Sequence, residues 1–214
     1  MNCIGIDLSV TSPGLCVIED DITNKIHFYF FALRKKHLDF QYTHKNISMN
    51  VIGDLFNKQW KNRIERYEYI VQNIVETMNM FQNKKIVLEG YAFSAQGQGL
   101  TSLAELRGIL LKEFYDIGWE WEEVPPTKIK KFFSGSGNAN KYSMLSQWKS
   151  MGIIDLYEEL EMKESAKGNV PSPIQDIVDA YALALFSKGE KIKNFNMVNN
   201  LLMDLKSEIK KRKR

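Results

Sequence analysis

Two long amphipathic segments, each followed by a short run that reads as a strand, occupy the middle of the chain. Apolar side chains recur at helical spacing in residues 61–81 and again in residues 100–117. The runs that follow them, residues 85–89 and 119–124, are short and are bounded by polar or proline-containing turns. A strand, a helix and a second strand in this order require a parallel pair joined by a right-handed crossover. The pattern therefore predicts an α/β fold.

Three further apolar segments precede this unit, in residues 2–8, 15–18 and 25–33. The turn-forming sequences TSPG and DDITN separate them, which is typical of an antiparallel meander. Residues 34–60 are polar and poorly periodic, and we expect a long loop there. The later helices end in an apolar core helix over residues 173–186. The economical architecture is a five-stranded mixed sheet, three antiparallel strands followed by two parallel ones, with helices on both faces.

The length and composition favour one domain. With 214 residues, 44% of them hydrophobic, the chain can bury one sizeable core, and no segment resembles an interdomain linker. We assign residues 1–187 to this domain and residues 188–214 to a basic C-terminal helix or tail. No apolar run reaches membrane-spanning length and no secretory signal is visible, so we expect a soluble, cytoplasmic protein. Cys3 and Cys16 lie in apolar runs and are expected to be buried, reduced thiols.

The positive charge is concentrated in two segments. The net charge is +3, and the last ten residues hold six bases and one acid, so the rest of the chain carries −2 (3 − 5). Residues 125–149 contain five lysines and no acid. Localised bases of this kind suit a protein that presents particular faces to phosphate. On composition alone, a solvated tail and a solvated helix face would explain the same distribution.

Two of the predicted strands end in a carboxylate. Asp7 closes the first apolar strand, and Glu89 closes the apolar run KIVLE. Neighbouring parallel strands place such ends side by side, where like charges repel each other unless a cation neutralises them. Taken alone, Asp7 has a simpler explanation, because it could accept hydrogen bonds from the TSPG turn.

The last core helix, PIQDIVDAYALALF, adds a second pair of acids. Asp176 and Asp179 are three residues apart and therefore lie on one helical face. No base occurs in residues 171–187 to pair with them. Acids in a first helical turn can also serve only to stabilise the helix dipole. Combined with Asp7 and Glu89, the pair favours metal binding.

Four carboxylates without a histidine and cysteine cluster select a hard ion, Mg²⁺ with Mn²⁺ as a substitute, over zinc. His27, His37 and His44 have no metal-ligand spacing. Such a site can hold two ions, one activating the attacking water and the other stabilising the leaving 3′ oxygen. The residues therefore predict metal-dependent hydrolysis of phosphodiester bonds.

At this point the sequence resembles a known family, the RuvC-type Holliday junction resolvases of the ribonuclease-H-like superfamily, and especially their phage and poxvirus-like branch. GIDLSVTSPG is similar to the first acidic motif, VLEGYAF to the second, and IQDIVDAYALA to the paired C-terminal acids. PPTKIKKFFSGSGNANKYSM resembles the basic stretch of the family, and LAELRGILL resembles the helix after the second acid. The resemblance covers most of the chain, but not residues 34–60 or the tail beyond about residue 187.

The resemblance implies a homodimer that resolves branched DNA, a four-way junction, by nicking two opposed strands and leaving 5′-phosphate and 3′-hydroxyl ends. It carries the two functional lysines of the family over to Lys130 and Lys141, which would contact phosphate or stabilise charge in the transition state, with Lys141 counted among the catalytic residues. The aromatic wedge of bacterial members falls on Ala92, and Tyr91 or Phe93 is expected to serve instead. Further nucleic-acid contacts are expected from Lys128, Lys131 and Arg107.

Other interpretations share parts of this pattern. GIDLSVTSPG also resembles the first phosphate loop of the sugar kinase, heat-shock and actin superfamily, but that class needs two such domains and a second glycine-rich loop. SGSGNANKYS is not a Walker A motif, because no GK[ST] follows. A ribonuclease H or a broader branched or flap DNA nuclease would use the same acids. A catalytically silent nucleic-acid-binding module would keep the basic segments, although intact acids at all four positions argue against it.

Overall fold

The computed structural model describes residues 1–91, 97–165 and 169–189. Its strands are β1 (Asn2–Asp7), β2 (Gly14–Ile18), β3 (Ile26–Ala32), β4 (Gln41–His44), β5 (Ile47–Asp54), β6 (Lys84–Glu89) and β7 (Trp121–Val124). Its α-helices are α1 (Arg63–Asn79), α2 (Gln98–Ile117), α3 (Pro126–Ser134), α4 (Lys141–Met151), α5 (Leu156–Glu159) and α6 (Ile174–Lys188).

All the described strands form one mixed sheet in the order β4-β5-β3-β2-β1-β6-β7. The strands β1, β2 and β3 form the predicted antiparallel meander. The strands β1, β6 and β7 run parallel. This is expected, because α1 precedes β6 and α2 connects β6 to β7. The predicted α/β class and the mixed sheet are therefore confirmed.

The prediction of five strands, with a long loop over residues 34–60, is wrong. That segment contains the hairpin of β4 and β5, and β5 lies parallel to β3, so the described sheet has seven strands. The hairpin turns at Lys45, a residue with φ of 53°, rather than at the glycine or Asn-Gly pair that usually marks such a turn. Only Ile47 and Met49 of β5 are buried, so the apolar signal of the strand is weak.

Helices cover both faces of the sheet, as predicted. One core contains Ile4 and Ile6 of β1 with the apolar sides of α1 and α2. The other contains Cys3, Cys16 and the apolar sides of α3, α4 and α6. Both cysteines are buried and free. No helix in the described ranges is long and apolar enough to span a membrane.

The helix α6 lies unusually close to the backbone of β1. A Cβ atom built on Gly5 would stand 2.2 Å from the carbonyl oxygen of Ala180 and 2.3 Å from the amide nitrogen of Ala184. Only glycine at this position and alanines on the helix permit such an approach. Because α6 is fixed across the middle of the sheet, its first two turns lie over the carboxyl end of β1.

Candidate active site

The two strand-ending carboxylates are neighbours at one edge of the sheet. Ile6 of β1 pairs with Leu88 of β6 in parallel register, so the next residues, Asp7 and Glu89, end adjacent strands side by side. Both side chains are partly buried. They point to the face covered by α6, because Gly5, two residues before Asp7, is the residue that contacts α6.

The helix α6 brings its two acids to the same place. Gly14 pairs with Asp7 across the β1–β2 ladder, and a Cβ atom on Gly14 would stand only 2.5 Å from the carbonyl oxygen of Asp176. Asp176 is 6% exposed, and Asp179 lies one turn further along the same face. The structure therefore brings together all four predicted acids, which come from three separate elements of the chain.

Burial and mutual repulsion disfavour the ionised form of the strand-end acids. Burial raises the pKa of Asp7 well above its usual range, and the charges of Asp179, Asp176 and Glu89 raise it further, against an opposing effect of Lys141. Burial, then the charge of Asp179, raises the pKa of Glu89 to about 7. Negative charge in this cluster is thus costly unless a cation compensates it.

The helix acids are partly stabilised by hydrogen bonds that sequence reasoning did not identify. The Ser12 hydroxyl donates to Asp176 Oδ2 at 2.5 Å, and Gln175 Nε2 donates to Asp179 Oδ2 at 3.2 Å. These bonds oppose the effect of burial, which nevertheless raises the pKa of Asp176 and raises that of Asp179 to about 6. Ser12 belongs to the TSPG turn, so the turn donates to Asp176, a partner that sequence spacing alone could not reveal.

The donor set suits a hard divalent cation, because it consists of carboxylate oxygens with no competing thiolate. Within the described residues, however, no three aspartate, glutamate, histidine or cysteine side chains are already arranged to hold one ion. Asp176 and Asp179 each direct one carboxylate oxygen to a neighbouring donor, Ser12 and Gln175. The chemistry and charge of the cluster fit a cation, and ligation requires these side chains to reorient.

Two of the predicted lysines accompany the acids. The positive charge of Lys130 lowers the pKa of Glu89 and of Asp179, and that of Lys141 lowers the pKa of Asp7 and of both helix acids. Lys141 begins α4, whose first turn is capped by Asn140, and its side chain is exposed. The half-buried Lys130 lies on α3. The structure thus places one exposed and one half-buried lysine where their charges act on the carboxylate cluster.

All but one of the remaining predicted contact residues are exposed or lie outside the described ranges. Lys128 stands over the ring of Phe186 at 5.0 Å, and Lys131 is exposed. Tyr91 is 40% exposed. Phe93, Ala92 and the basic residues of the tail from 190 onward lie outside the described residues.

Arg107 does not lie on a surface where it could contact nucleic acid, contrary to our expectation. Its side chain is 4% exposed, donates to the carbonyl oxygen of Glu89, and donates from Nη1 to Glu123 Oε2 at 2.8 Å. The ring of Tyr91 covers its guanidinium at 4.2 Å. Arg107, like Leu106 before it, is one of the buried residues of α2. Arg107 therefore binds the backbone of Glu89 and does not face solvent.

We expect Arg107→Ala to lower the free energy of unfolding by about 2 kcal/mol, because it leaves the Glu89 carbonyl and Glu123 without their buried donor. The charge of Arg107 lowers the pKa of Glu89, so its loss should raise that pKa and shift the pH profile of activity to higher pH. Chemical denaturation and a pH profile of cleavage would measure both effects. Lys112→Ala, which removes an exposed ion pair with Asp116 on the same helix, is the control and should change neither. An unshifted pH profile for Arg107→Ala would contradict this role.

Comparison with known proteins gives one curated relative at low identity. No protein-family model matches the chain. The crossover junction endodeoxyribonuclease RuvC of Brachyspira hyodysenteriae is 24% identical over 102 residues, which are 48% of this chain and 62% of the relative. The chain therefore matches less than two thirds of the length of that relative.

Solved structures resemble the chain over most of its length. Thermus thermophilus RuvC matches with a TM-score of 0.53 at 20% identity, covering 88% of this chain and 95% of that one. Its complex with a Holliday junction substrate matches with a TM-score of 0.54 at 18% identity, covering 88% and 94%. The yeast mitochondrial Holliday junction resolvase matches with a TM-score of 0.52 at 14% identity, covering 92% of this chain and 83% of that one. The described part of this chain has the ribonuclease-H-like fold found in RuvC-type Holliday junction resolvases.

Proposed function

We propose that this protein is a metal-dependent, structure-selective endonuclease that resolves four-way DNA junctions during recombination and repair. It makes paired nicks that leave 5′-phosphate and 3′-hydroxyl ends. The observation that carries it is the convergence of Asp7, Glu89, Asp176 and Asp179 at one edge of a ribonuclease-H-like sheet, with the raised pKa values reported above. The curated relative is a crossover junction endodeoxyribonuclease, and the Thermus protein has been solved with a Holliday junction.

The four acids are the proposed ligands of Mg²⁺, or of Mn²⁺ in its place, with two ions per site. When bound, such ions activate the attacking water and stabilise the charge on the leaving 3′ oxygen. Ser12 and Gln175 hold Asp176 and Asp179 by hydrogen bonds, and the same carboxylates would ligate the cation. The acids themselves provide oxygen ligands and the negative charge that attracts the cation.

Lys130 and Lys141 are the proposed phosphate contacts beside the acids. Their charges already act on the carboxylates, so a phosphate approaching the cluster meets positive charge at its rim. Lys141 would accompany the scissile phosphate and stabilise the charge that develops on its oxygens. Lys128 and Lys131 extend the same basic helix, α3, and would contact phosphates further along the strand.

We also propose that the protein acts as a homodimer, because two opposed strands must be nicked and the described part of one chain carries one such cluster of acids. The proposed wedge at Tyr91 or Phe93 would open the junction next to Glu89. The assignment to the phage and poxvirus-like branch stays a prediction that rests on the sequence motifs alone.

A panel of substrates tests the function. The purified protein would be incubated with Mg²⁺ or Mn²⁺ and a four-way junction, a flap, a linear duplex or an RNA–DNA hybrid, with product ends mapped at nucleotide resolution. We expect symmetric nicks in the junction, faster than cleavage of the other substrates, and products that DNA ligase can seal. Faster cleavage of the hybrid would transfer the assignment to a ribonuclease H, and faster cleavage of the flap to a broader branched-DNA nuclease. Junction binding without cleavage under every metal condition would identify a silent binding module.

A further inference from the structure

The segment after β5 lies at the same edge of the sheet as the carboxylate cluster. The strands β3 and β5 are parallel to each other, and β3 has the direction of β1 because two antiparallel pairings separate them. The carboxyl end of β5 at Asp54 therefore shares an edge with Asp7. Three inter-strand steps of about 4.8 Å each separate the two strands, or about 14 Å.

Residues 55–64, LFNKQWKNRI, follow β5 at this edge and lead into α1, and we call them the strip. They contain three bases, Lys58, Lys61 and Arg63, and no acid. The two carboxylates that flank the strip are engaged by backbone amides, Asp54 by Phe56 and Asn57, and Glu65 by Lys61. Both carboxylates keep their charge, so residues 54–65 carry three bases against two acids, a net charge of +1 (3 − 2).

Two of these bases have no acidic partner within the described parts of the chain. Arg63 is paired with Glu105 at 2.7 Å, but none of the ion pairs found there involves Lys58 or Lys61. Both lysines are exposed. An unpaired, exposed ammonium keeps its full attraction for an external anion, and two of them lie three residues apart.

Aromatic rings fix the position of Lys58. Its ammonium lies 3.6 Å from the ring centre of Tyr69 and 5.8 Å from that of Trp60, and the two rings contact each other at 5.2 Å. The Tyr69 hydroxyl accepts a hydrogen bond from the amide of Asp54, which ties this cluster to the end of β5. Contact with a ring face occupies one side of an ammonium and leaves its other N–H groups available to a phosphate oxygen.

We propose that this strip, residues 55–64, binds the phosphodiester backbone of a DNA arm that extends from the active site over the edge of the sheet, with Lys58 and Lys61 as the contacts. The inference rests on the proposed function for the identity of the arm. Duplex DNA carries about one phosphate charge per 1.7 Å of its axis, so a span of about 14 Å covers roughly eight phosphates. The hairpin of β4 and β5 widens the sheet and thereby provides this additional surface.

The test compares the salt dependence of DNA binding. Lys58→Ala/Lys61→Ala would be measured on a four-way junction and on a linear duplex over a series of salt concentrations, with divalent metal chelated so that the DNA stays intact. Two lost phosphate contacts should reduce the slope of log K against log salt by about 1.8 and weaken binding at low salt by roughly tenfold. Lys58→Arg/Lys61→Arg should retain the wild-type slope.

A matched control removes two charges from the opposite edge of the sheet. Lys25 precedes β3, and Lys45 lies in the β4–β5 turn, so Lys25→Ala/Lys45→Asn changes the net charge equally, with asparagine suited to the positive φ at position 45. An equal change of slope in this control, or an unchanged slope in the strip variant, would overturn the inference. Failure of the wild-type protein to cut junctions would instead refute the proposed function. The binding measurements on the linear duplex would still test the strip.

Discussion

Replacing Asp7 with Asn is expected to reduce the rate of junction cleavage by at least about a thousandfold, or about 4 kcal/mol of transition-state stabilisation. Asp7 is the acid on which burial and the charges of all three other carboxylates act together, so it lies at the centre of the cluster. Asparagine keeps the size of the side chain but removes the negative charge that would attract a cation. Single-turnover cleavage of a labelled junction would measure the effect.

Asp54→Asn provides a matched control for this substitution. Asp54 also ends a strand at the same edge, but its Oδ1 accepts from the amides of Phe56 and Asn57, and asparagine can accept the same bonds. We expect Asp54→Asn to cleave at the wild-type rate. Asp7→Asn should also unfold at a higher temperature than the wild-type protein without metal, because it removes a repelled, buried charge. Full cleavage activity in Asp7→Asn would refute the proposed metal site.

The contrast between Asp7 and Asp54 also indicates how far sequence reasoning reaches. Both are carboxylates at the end of a strand, and the sequence predicted β1 because its apolar run is continuous. The order of strands and helices then sufficed to place Asp7 beside Glu89, since parallel neighbours end at one edge. The i,i+3 spacing of Asp176 and Asp179 likewise predicted their common face.

Features that depend on long-range packing were not predictable in this way. The partner of Ser12 is 164 residues away in the chain, and the pairing of β5 with β3 follows no local pattern. Arg107 illustrates the same point, because from sequence alone a basic residue beside an apolar helix face is expected to be exposed. Its burial depends on the Glu89 carbonyl, Glu123 and the ring of Tyr91, which meet only in the folded chain.

The stability of the metal-free protein is expected to fall as the pH rises from about 4.5 to about 7. Glu89 has an ordinary pKa of 4.5 when the chain is unfolded and about 7 in the folded state, where burial and then the charge of Asp179 raise it. Between these values the folded state holds a proton that the unfolded state has released, so the free energy of unfolding decreases with rising pH. The loss is complete above about pH 7, absent below about pH 4.5, and amounts to about 3 kcal/mol for Glu89 alone.

Denaturation in a chelating buffer at several pH values would measure this loss, with Glu89→Gln as the control. The buried His37 acts in the opposite direction, because burial lowers its pKa and low pH then favours the unfolded state. The difference between wild type and Glu89→Gln removes this contribution, since both proteins contain His37. Equal pH dependence in the two proteins would contradict the raised pKa of Glu89.

Addition of Mg²⁺ should reverse the sign of the pH dependence in the wild-type protein. A cation binds the ionised carboxylates, so its stabilisation of the folded state grows as the acids lose their protons and follows the ratio of metal concentration to Kd. We therefore expect Mg²⁺ to raise the unfolding midpoint more at pH 8 than at pH 5.5. Glu89→Gln should lose most of this increment, because one charged ligand is missing, whereas Asp54→Asn should keep it. An equal increment at both pH values would mean that Mg²⁺ binds elsewhere than at the four acids.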